Sequence, residues 1–180
     1  MCALADGAGN ANMAAKKVLD LFSKLYTETE KSAPLDLLDE TTWRRWVKIL
    51  DSSLLGGSQS TFVGLSIGER VAVGCAVGDS RFYKLNRDGK LTIVTAESKK
   101  ARLGSGQAEP CTFRIDPLQS GDILLLLSDG AYTPLDMARL QREAVTAAVR
   151  HFSDVPTALV TAAGKHGFAD DATCVAVRVR

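Results

Sequence analysis

Four acidic positions in this chain stand where a run of apolar residues stops. Asp6 follows Ala3-Leu4-Ala5 and precedes Gly7. Asp79 follows Val73-Gly74-Cys75-Ala76-Val77-Gly78, and Asp129 follows Ile123-Leu124-Leu125-Leu126-Leu127-Ser128 and precedes Gly130. The pair Asp170-Asp171 opens the run Ala172-Thr173-Cys174-Val175-Ala176-Val177. A carboxylate at the rim of a buried strand stays ionised only if it is solvated, paired or bound to a cation, which makes Asp129 a candidate ligand. Singly, each of these steps reads as an ordinary turn, because Asp and Gly favour turns for local backbone reasons. Together they point to a shared metal site.

Elements must carry these acids to their places. Five aliphatic residues from Ile123 to Leu127, bounded by turn formers, fit a central strand buried on both faces. Cys2 to Ala5 also reads as a strand, so the sequence begins without a lead-in, as though a segment upstream were missing. Apolar positions 14, 18, 21, 22 and 25 recur at helical spacing between Asn12 and Tyr26, with Asn10 or Asn12 as N-cap. Beyond Pro34 a second helical pattern runs from about Leu35 to Leu55, and Trp43 and Trp46 share its apolar face as packing residues rather than as a ligand platform. Gly56-Gly57 ends it.

The period then changes to two. Thr61–Ile67, Val71–Val77, Arg81–Leu85 and Leu91–Val94, joined by short Gly- and Asn-containing turns, predict an antiparallel meander. Residues 95–117 are polar and irregular, with one short strand at Thr112–Ile115, and form a candidate functional flap. Thr133-Pro134 predicts the opening of a helix to about Phe152, and Ser153-Asp154-Val155-Pro156 caps another to about His166. Both histidines then fall near helix C-termini, where a cation is favoured and solvated. Gly167-Phe168-Ala169 leads into a closing strand to Arg178. Two stacked, mainly antiparallel sheets between helix pairs would bury these patterns in one domain over residues 1–180.

Composition narrows the function. With 22 Lys and Arg against 21 Asp and Glu, the 180-residue chain has a net charge of +1, which gives no hint of a basic surface for nucleic acid. Cys2, Cys75, Cys111 and Cys174 are widely spread, without a Cys-x-x-Cys pair, and read as free thiols of a reducing, cytoplasmic setting. No apolar run approaches the roughly 20 residues that cross a bilayer, and the N-terminus lacks a basic segment followed by an apolar core. A soluble monomer with no membrane and no nucleic-acid partner is expected.

Five segments, in order along the chain, resemble the metal-dependent protein phosphatases of the PPM family, the type 2C serine/threonine phosphatases and their bacterial relatives. They are Ala5-Asp6-Gly7-Ala8-Gly9, Ser60-Thr61, Val77-Gly78-Asp79-Ser80-Arg81, Gly121 to Gly130, and Asp170-Asp171-Ala172-Thr173. The resemblance implies an α+β fold, a four-layer α-β-β-α sandwich, with two or three Mn²⁺ or Mg²⁺ ions at the edge of the paired sheets. It implies Asp6 as the carboxylate bridging two metals, Gly7 as a backbone-carbonyl ligand, and Asp129 and Asp170 as completing one metal position. Asp79 would help hold the third, weaker ion together with Asp129, and Asp171 stands where relatives have Asn or Asp beside the ligand. The implied catalytic residues are Asp6, Asp129 and Asp170.

The implied activity is hydrolysis of phosphoserine and phosphothreonine in proteins by a metal-activated water, with a phosphoprotein substrate and a serine/threonine kinase or its targets as partners. Hard divalent cations take oxygen ligands and can activate water for in-line attack on a phosphoryl group, so no Cys or His nucleophile is required. The matching stretch begins after the family's leading strand pair, with its phosphate-gripping Arg and Glu-Asp segment. Asn10 also stands where a second Gly is usual, and Ala8 where some relatives place a His. Two alternatives follow: a truncated or non-catalytic member of the fold that binds a phosphoprotein or regulatory partner, and an ordinary α/β domain whose Asp-Gly turns are only turns. Arg81 and Arg102 are the nearest substitutes for the phosphate grip, although Arg81 reads better as support for the Asp79 turn and Arg102 as a solvated loop residue.

Overall fold

The computed structural model describes residues 1–8, 12–96, 98, 101–166 and 170–180. Gly9, Asn10, Gly167, Phe168 and Ala169, and the side chain of Asn12, lie outside the described residues, and with them the foreseen cap of the first helix. In chain order the elements are β1 (Cys2–Leu4), α1 (Asn12–Ser32), a 3-10 turn (Pro34–Leu38), α2 (Glu40–Leu54), β2 (Phe62–Ile67), β3 (Ala72–Val77), β4 (Arg81–Leu85) and β5 (Leu91–Ile93). There follow β6 (Cys111–Ile115), β7 (Ile123–Leu127), α3 (Asp129–Tyr132), α4 (Met137–Arg150), a 3-10 turn (Phe152–Asp154), α5 (Val155–Gly164) and β8 (Cys174–Arg178). They fall into two compact units, one of Met1–Ser80 with Thr95–Leu118, the other of Arg81–Val94 with Gln119–Arg180.

The first unit holds a four-stranded antiparallel sheet in the order β1-β2-β3-β6. The apolar face of α1 and the two tryptophans of α2 form its core. Phe22 lies 5.0 Å from Phe62 and 5.8 Å from both Trp43 and Trp46, ring centroid to ring centroid. Trp43 and Trp46 are buried packing residues, and Trp43 satisfies its indole N–H on the Leu37 carbonyl at 3.1 Å. The predicted helix over 35–55 is interrupted: Asp39 takes an extended conformation, and its carboxylate accepts from the Thr41 N–H at 2.9 Å, so α2 starts afresh after the 3-10 turn.

The second unit holds the antiparallel sheet β5-β4-β7-β8. As expected, β7 is central and buried throughout; Leu125 and Leu127 pack with Leu140, Ala144, Val155 and Leu159 of α4 and α5. Just before β7, fully buried Asp122 is paired with Lys84 at 2.8 Å. Thr133-Pro134 does not open the long helix. Thr133 ends the short α3, and α4 begins at Met137 because the Asp136 carboxylate caps the Arg139 N–H at 2.7 Å.

The predicted meander is corrected as well. β2 and β3 form a hairpin, but β3 continues to β6 while β4 pairs with β5 and β7. The strand run is divided between two sheets at Gly78-Asp79-Ser80, where Gly78 has φ +85° and turns the chain out of β3. Short turns mimic a hairpin in sequence because the local backbone chemistry is the same. All four cysteines are thiols, Cys2 and Cys75 being buried. Among the described residues no helix is long and apolar enough to cross a membrane.

Candidate functional site

In the first unit the corner after β1 is fixed by its backbone. The Asp6 carbonyl accepts from the Thr61 N–H at 2.8 Å and from Ser60 Oγ at 3.0 Å, and the Asp6 N–H donates to Thr61 Oγ1 at 3.2 Å. Gly7 forms an antiparallel bridge with Ser60, and the Ala8 N–H donates to the Gln59 carbonyl at 3.0 Å. The Asp6 side chain is half-buried.

Thr61 joins this corner to the turn that carries Asp79. Its hydroxyl shares a 2.7 Å hydrogen bond with Ser80, and its Cγ2 lies 3.0 Å from where a Cβ on Gly78 would stand. Ser60, Thr61 and Ser80 are all buried. A buried hydroxyl triplet that spends its bonds on two turns is a positioning device. The Ser60-Thr61 pair thus binds the Asp6 backbone and, through Ser80, the turn that carries Asp79.

Asp79 itself meets a cation of the chain. Arg102 Nη2 donates to Asp79 Oδ2 at 2.9 Å, with both side chains about a third exposed. Arg102 therefore supports the Asp79 turn, and the expectation of a solvated loop residue is corrected. Leu103 binds Ser60 through paired backbone hydrogen bonds of 2.9 and 3.1 Å, and the Asp51 carboxylate of α2 accepts from the N–H groups of Gly104 and Gly106 at 2.6 and 3.2 Å. The polar stretch foreseen as a flap is anchored here.

In the second unit the strand end and the acid pair are brought together. The Ser128 N–H donates to the Thr173 carbonyl at 3.0 Å; Ser128 Oγ accepts from the Thr173 N–H at 2.9 Å and donates to the Asp171 carbonyl at 3.3 Å. A Cβ on Gly130 would stand 2.4 Å from the Asp171 carbonyl oxygen and 3.2 Å from that of Asp170, so only glycine admits this approach. Asp129 is the first residue of α3, half-buried, and its Oδ1 accepts from the Gly130 N–H at 2.9 Å; exposed Asp170 likewise accepts from the Asp171 N–H at 2.9 Å. Sequence separations of about 40 residues are thus closed by two small residues.

Tyr132, the last residue of α3, and Tyr83 of β4 have a cationic neighbour that sequence reasoning did not foresee. The Arg81 guanidinium lies 4.2 Å from the centroid of the Tyr132 ring, a cation–π contact, and Tyr83 stands 6.3 Å from the same ring. Burial pushes the Tyr83 phenol above its ordinary range, and the Arg81 hydrogen bond pulls the other way. The only advance signal was Arg81 following Gly78-Asp79-Ser80.

Among the described residues, neither unit groups three or more His, Cys, Asp or Glu side chains that could hold a metal ion. In kind, the donors fit a hard divalent cation. They are carboxylates with solvent access at turns, and Asp79 already binds a cationic group.

No curated protein matches this sequence. Several solved structures share its fold. The catalytic domain of the serine/threonine protein phosphatase PstP in complex with 2 manganese ions is 23% identical, with a TM-score of 0.78 over 99% of this chain and 87% of that one. The serine/threonine phosphatase of S. agalactiae is 21% identical, with a TM-score of 0.82 over 99% and 86%. The PPM Ser-Thr phosphatase MsPP of Mycobacterium smegmatis, in complex with cacodylate, is 22% identical, with a TM-score of 0.72 over 99% and 87%. The two four-stranded antiparallel sheets with flanking helices are therefore those of the PPM-type α-β-β-α phosphatase fold that the motifs implied. The profile of one family matches residues 2–180, nearly the whole sequence, and by that match the chain belongs to the family described as Stage II sporulation protein E (SpoIIE).

Proposed function

We propose that this chain is a metal-dependent hydrolase of phosphoserine and phosphothreonine in proteins, working as one phosphatase domain over residues 1–180. The observation that supports the reading is the close approach of Gly130, next to Asp129, to the backbone of Asp170-Asp171. A relative of the same fold holds 2 manganese ions. On this reading Asp6 and Asp79 in the first unit and Asp129 and Asp170 in the second supply carboxylate oxygens to Mn²⁺ or Mg²⁺, and Gly7 adds its carbonyl.

The bound cations supply Lewis acidity, lowering the pKa of water and offsetting charge on the phosphoryl oxygens. The chain's own residues do the positioning. Thr61 and Ser60 hold the Asp6 corner through its backbone N–H and carbonyl. Ser128 fixes the Asp171 and Thr173 backbone, and with it the direction from which Asp170 approaches. Preorganisation of this kind favours the metal-bound state, because little ordering remains to be done when the ion arrives. The partner class that follows is a phosphoprotein, and through it a serine/threonine kinase or that kinase's targets.

Hydrolysis of p-nitrophenyl phosphate and of a phosphothreonine peptide, with and without Mn²⁺, tests the reading. Mn²⁺-dependent turnover that falls at least about 100-fold in Asp129→Asn, with the thermal transition retained, is the expected result. Absence of turnover in a folded protein that still binds Mn²⁺ would replace the hydrolase with a non-catalytic phosphatase-like domain.

A further inference from the structure

Asp79 is not an idle ligand waiting for an ion. Its Oδ2 accepts a charge-assisted hydrogen bond from Arg102 at 2.9 Å, the range of strong ion pairs. The partner is presented by a short, heavily anchored loop. Leu103, next to it, is fully buried and paired with Ser60 in both directions, and Gly104 and Gly106 bond the Asp51 carboxylate, which is only 8% exposed. The stem of Arg102 lies over the Asp79 turn, its Cγ 3.4 Å from where a Cβ on Gly78 would be. Arg102 Nε is buried without a hydrogen-bond partner, so the guanidinium is not placed there to satisfy its own donors. Its position follows from the loop.

We propose that Arg102 is the resident counter-ion of Asp79, and that a divalent cation engages this carboxylate only by displacing the guanidinium. The inference rests on the metal-dependent reading above and adds a regulation to it. Asp51, by gripping the loop, sets how readily Arg102 yields. The competition is between two cations for one carboxylate. A cation held away from Asp79 would be indifferent to Arg102, whereas occupancy at Asp79 would be opposed by it. When displaced, the guanidinium becomes an unpaired donor fork beside the ion, the chemistry that recognises a phosphate group.

The test is Mn²⁺ binding to the full chain, by calorimetry and by the electron paramagnetic resonance signal of free Mn²⁺, in the parent, Arg102→Gln, Arg102→Lys, Asp79→Asn, Asp51→Asn and the Arg102→Gln/Asp79→Asn pair. Removing a unit charge beside the carboxylate should strengthen one Mn²⁺ step about tenfold in Arg102→Gln, and less in Arg102→Lys, which keeps a charge without the fork. The double variant should lose the gain, and Asp51→Asn should show part of it. Equal Mn²⁺ affinity and stoichiometry in the parent and both Arg102 variants would overturn the proposal, as would a gain that survives in the double variant. Failure of the hydrolase reading shows up elsewhere, as absence of Mn²⁺-dependent turnover in the parent. The Arg102 effect is scored only on the Asp79-dependent binding step, and Arg102→Lys keeps the comparison alive if Arg102→Gln unfolds.

Discussion

Gly130→Ala is the most direct probe of how Asp129 is set beside the acid pair. A Cβ built at Gly130 falls 2.4 Å from the Asp171 carbonyl oxygen and 2.9 Å from its carbonyl carbon, where ordinary contact begins near 3.4 Å. The difference, 3.4 − 2.4, requires the Asp171 backbone to retreat by about 1 Å, and the obstacle is main chain that cannot rotate away. Ser128 holds the same backbone through hydrogen bonds of 2.9 and 3.3 Å, so the retreat strains or breaks them. Overpacking of this kind costs about 1–3 kcal/mol. If Asp129 and Asp170 share an ion, moving one past the other by such a distance should weaken Mn²⁺ binding about 10–100-fold, as loss of a supporting contact around a metal does. Urea unfolding and Mn²⁺ calorimetry on the same sample read both quantities. Gly164→Ala is the control: nothing lies within 4 Å of its Cβ, so it should leave Mn²⁺ binding unchanged and stability equal or higher by about 0.4–1 kcal/mol. The reasoning is refuted if Gly130→Ala matches the parent in both measurements, and its link to the ligands is refuted if stability falls while Mn²⁺ affinity stays put.

Two predictions concern stability alone. Asp122 is fully buried, with Oδ2 bonded to Lys84 at 2.8 Å and to the Gln119 N–H at 2.9 Å and with Oδ1 unpartnered, so Lys84→Met strands a buried charge and should cost about 3–5 kcal/mol in urea unfolding; a loss below about 1 kcal/mol would contradict this. Burial raises the Cys2 thiol to about 11 and raises Cys75 further, so the folded chain keeps protons that the unfolded chain releases near pH 8.5–9. The stabilisation from these neutral thiols is complete below the unfolded value and is lost as pH rises from about 9 towards 11. Urea midpoints taken from pH 8 to 11 should show that fall, with a shallower slope in Cys2→Ala; an identical slope would exclude Cys2 as a source.

What was legible in the sequence was whatever depends on local chemistry. The five aliphatic residues of β7 have no polar face, so they can only be central, and the structure puts β4 on one side and β8 on the other. The apolar stripe of α1 and the Trp43–Trp46 spacing gave the core, because periodicity reports burial directly. The errors came where two local solutions look alike. Gly78-Asp79-Ser80 has the composition of a hairpin turn, and nothing within it says whether the next strand pairs with the previous one or leaves for another sheet. Similarly, Thr133-Pro134 is a legitimate helix start, but Asp136 is a better one, with its carboxylate 2.7 Å from the Arg139 N–H.

The site divides along the same line. Each acid was visible, since a carboxylate at a strand end is conspicuous in one dimension; its neighbours were not. Arg102 follows Asp79 by 23 residues across irregular chain, and its ion pair exists because Leu103 bridges to Ser60 and Asp51 grips Gly104 and Gly106. Three long-range contacts, none with a periodic signature, decide what one arginine does. Arg81, adjacent to the turn in sequence, was the more natural choice for that support, but its guanidinium lies over Tyr132. The consequence reaches the chemistry. Read from sequence, Asp79 would be a ligand open to any ion; with Arg102 bonded to it, the affinity of an incoming ion would be the difference between two interactions rather than the strength of one. On the proposed reading, ion binding at this carboxylate should therefore respond to substitutions at Arg102 and Asp51, residues that would touch no ion at all.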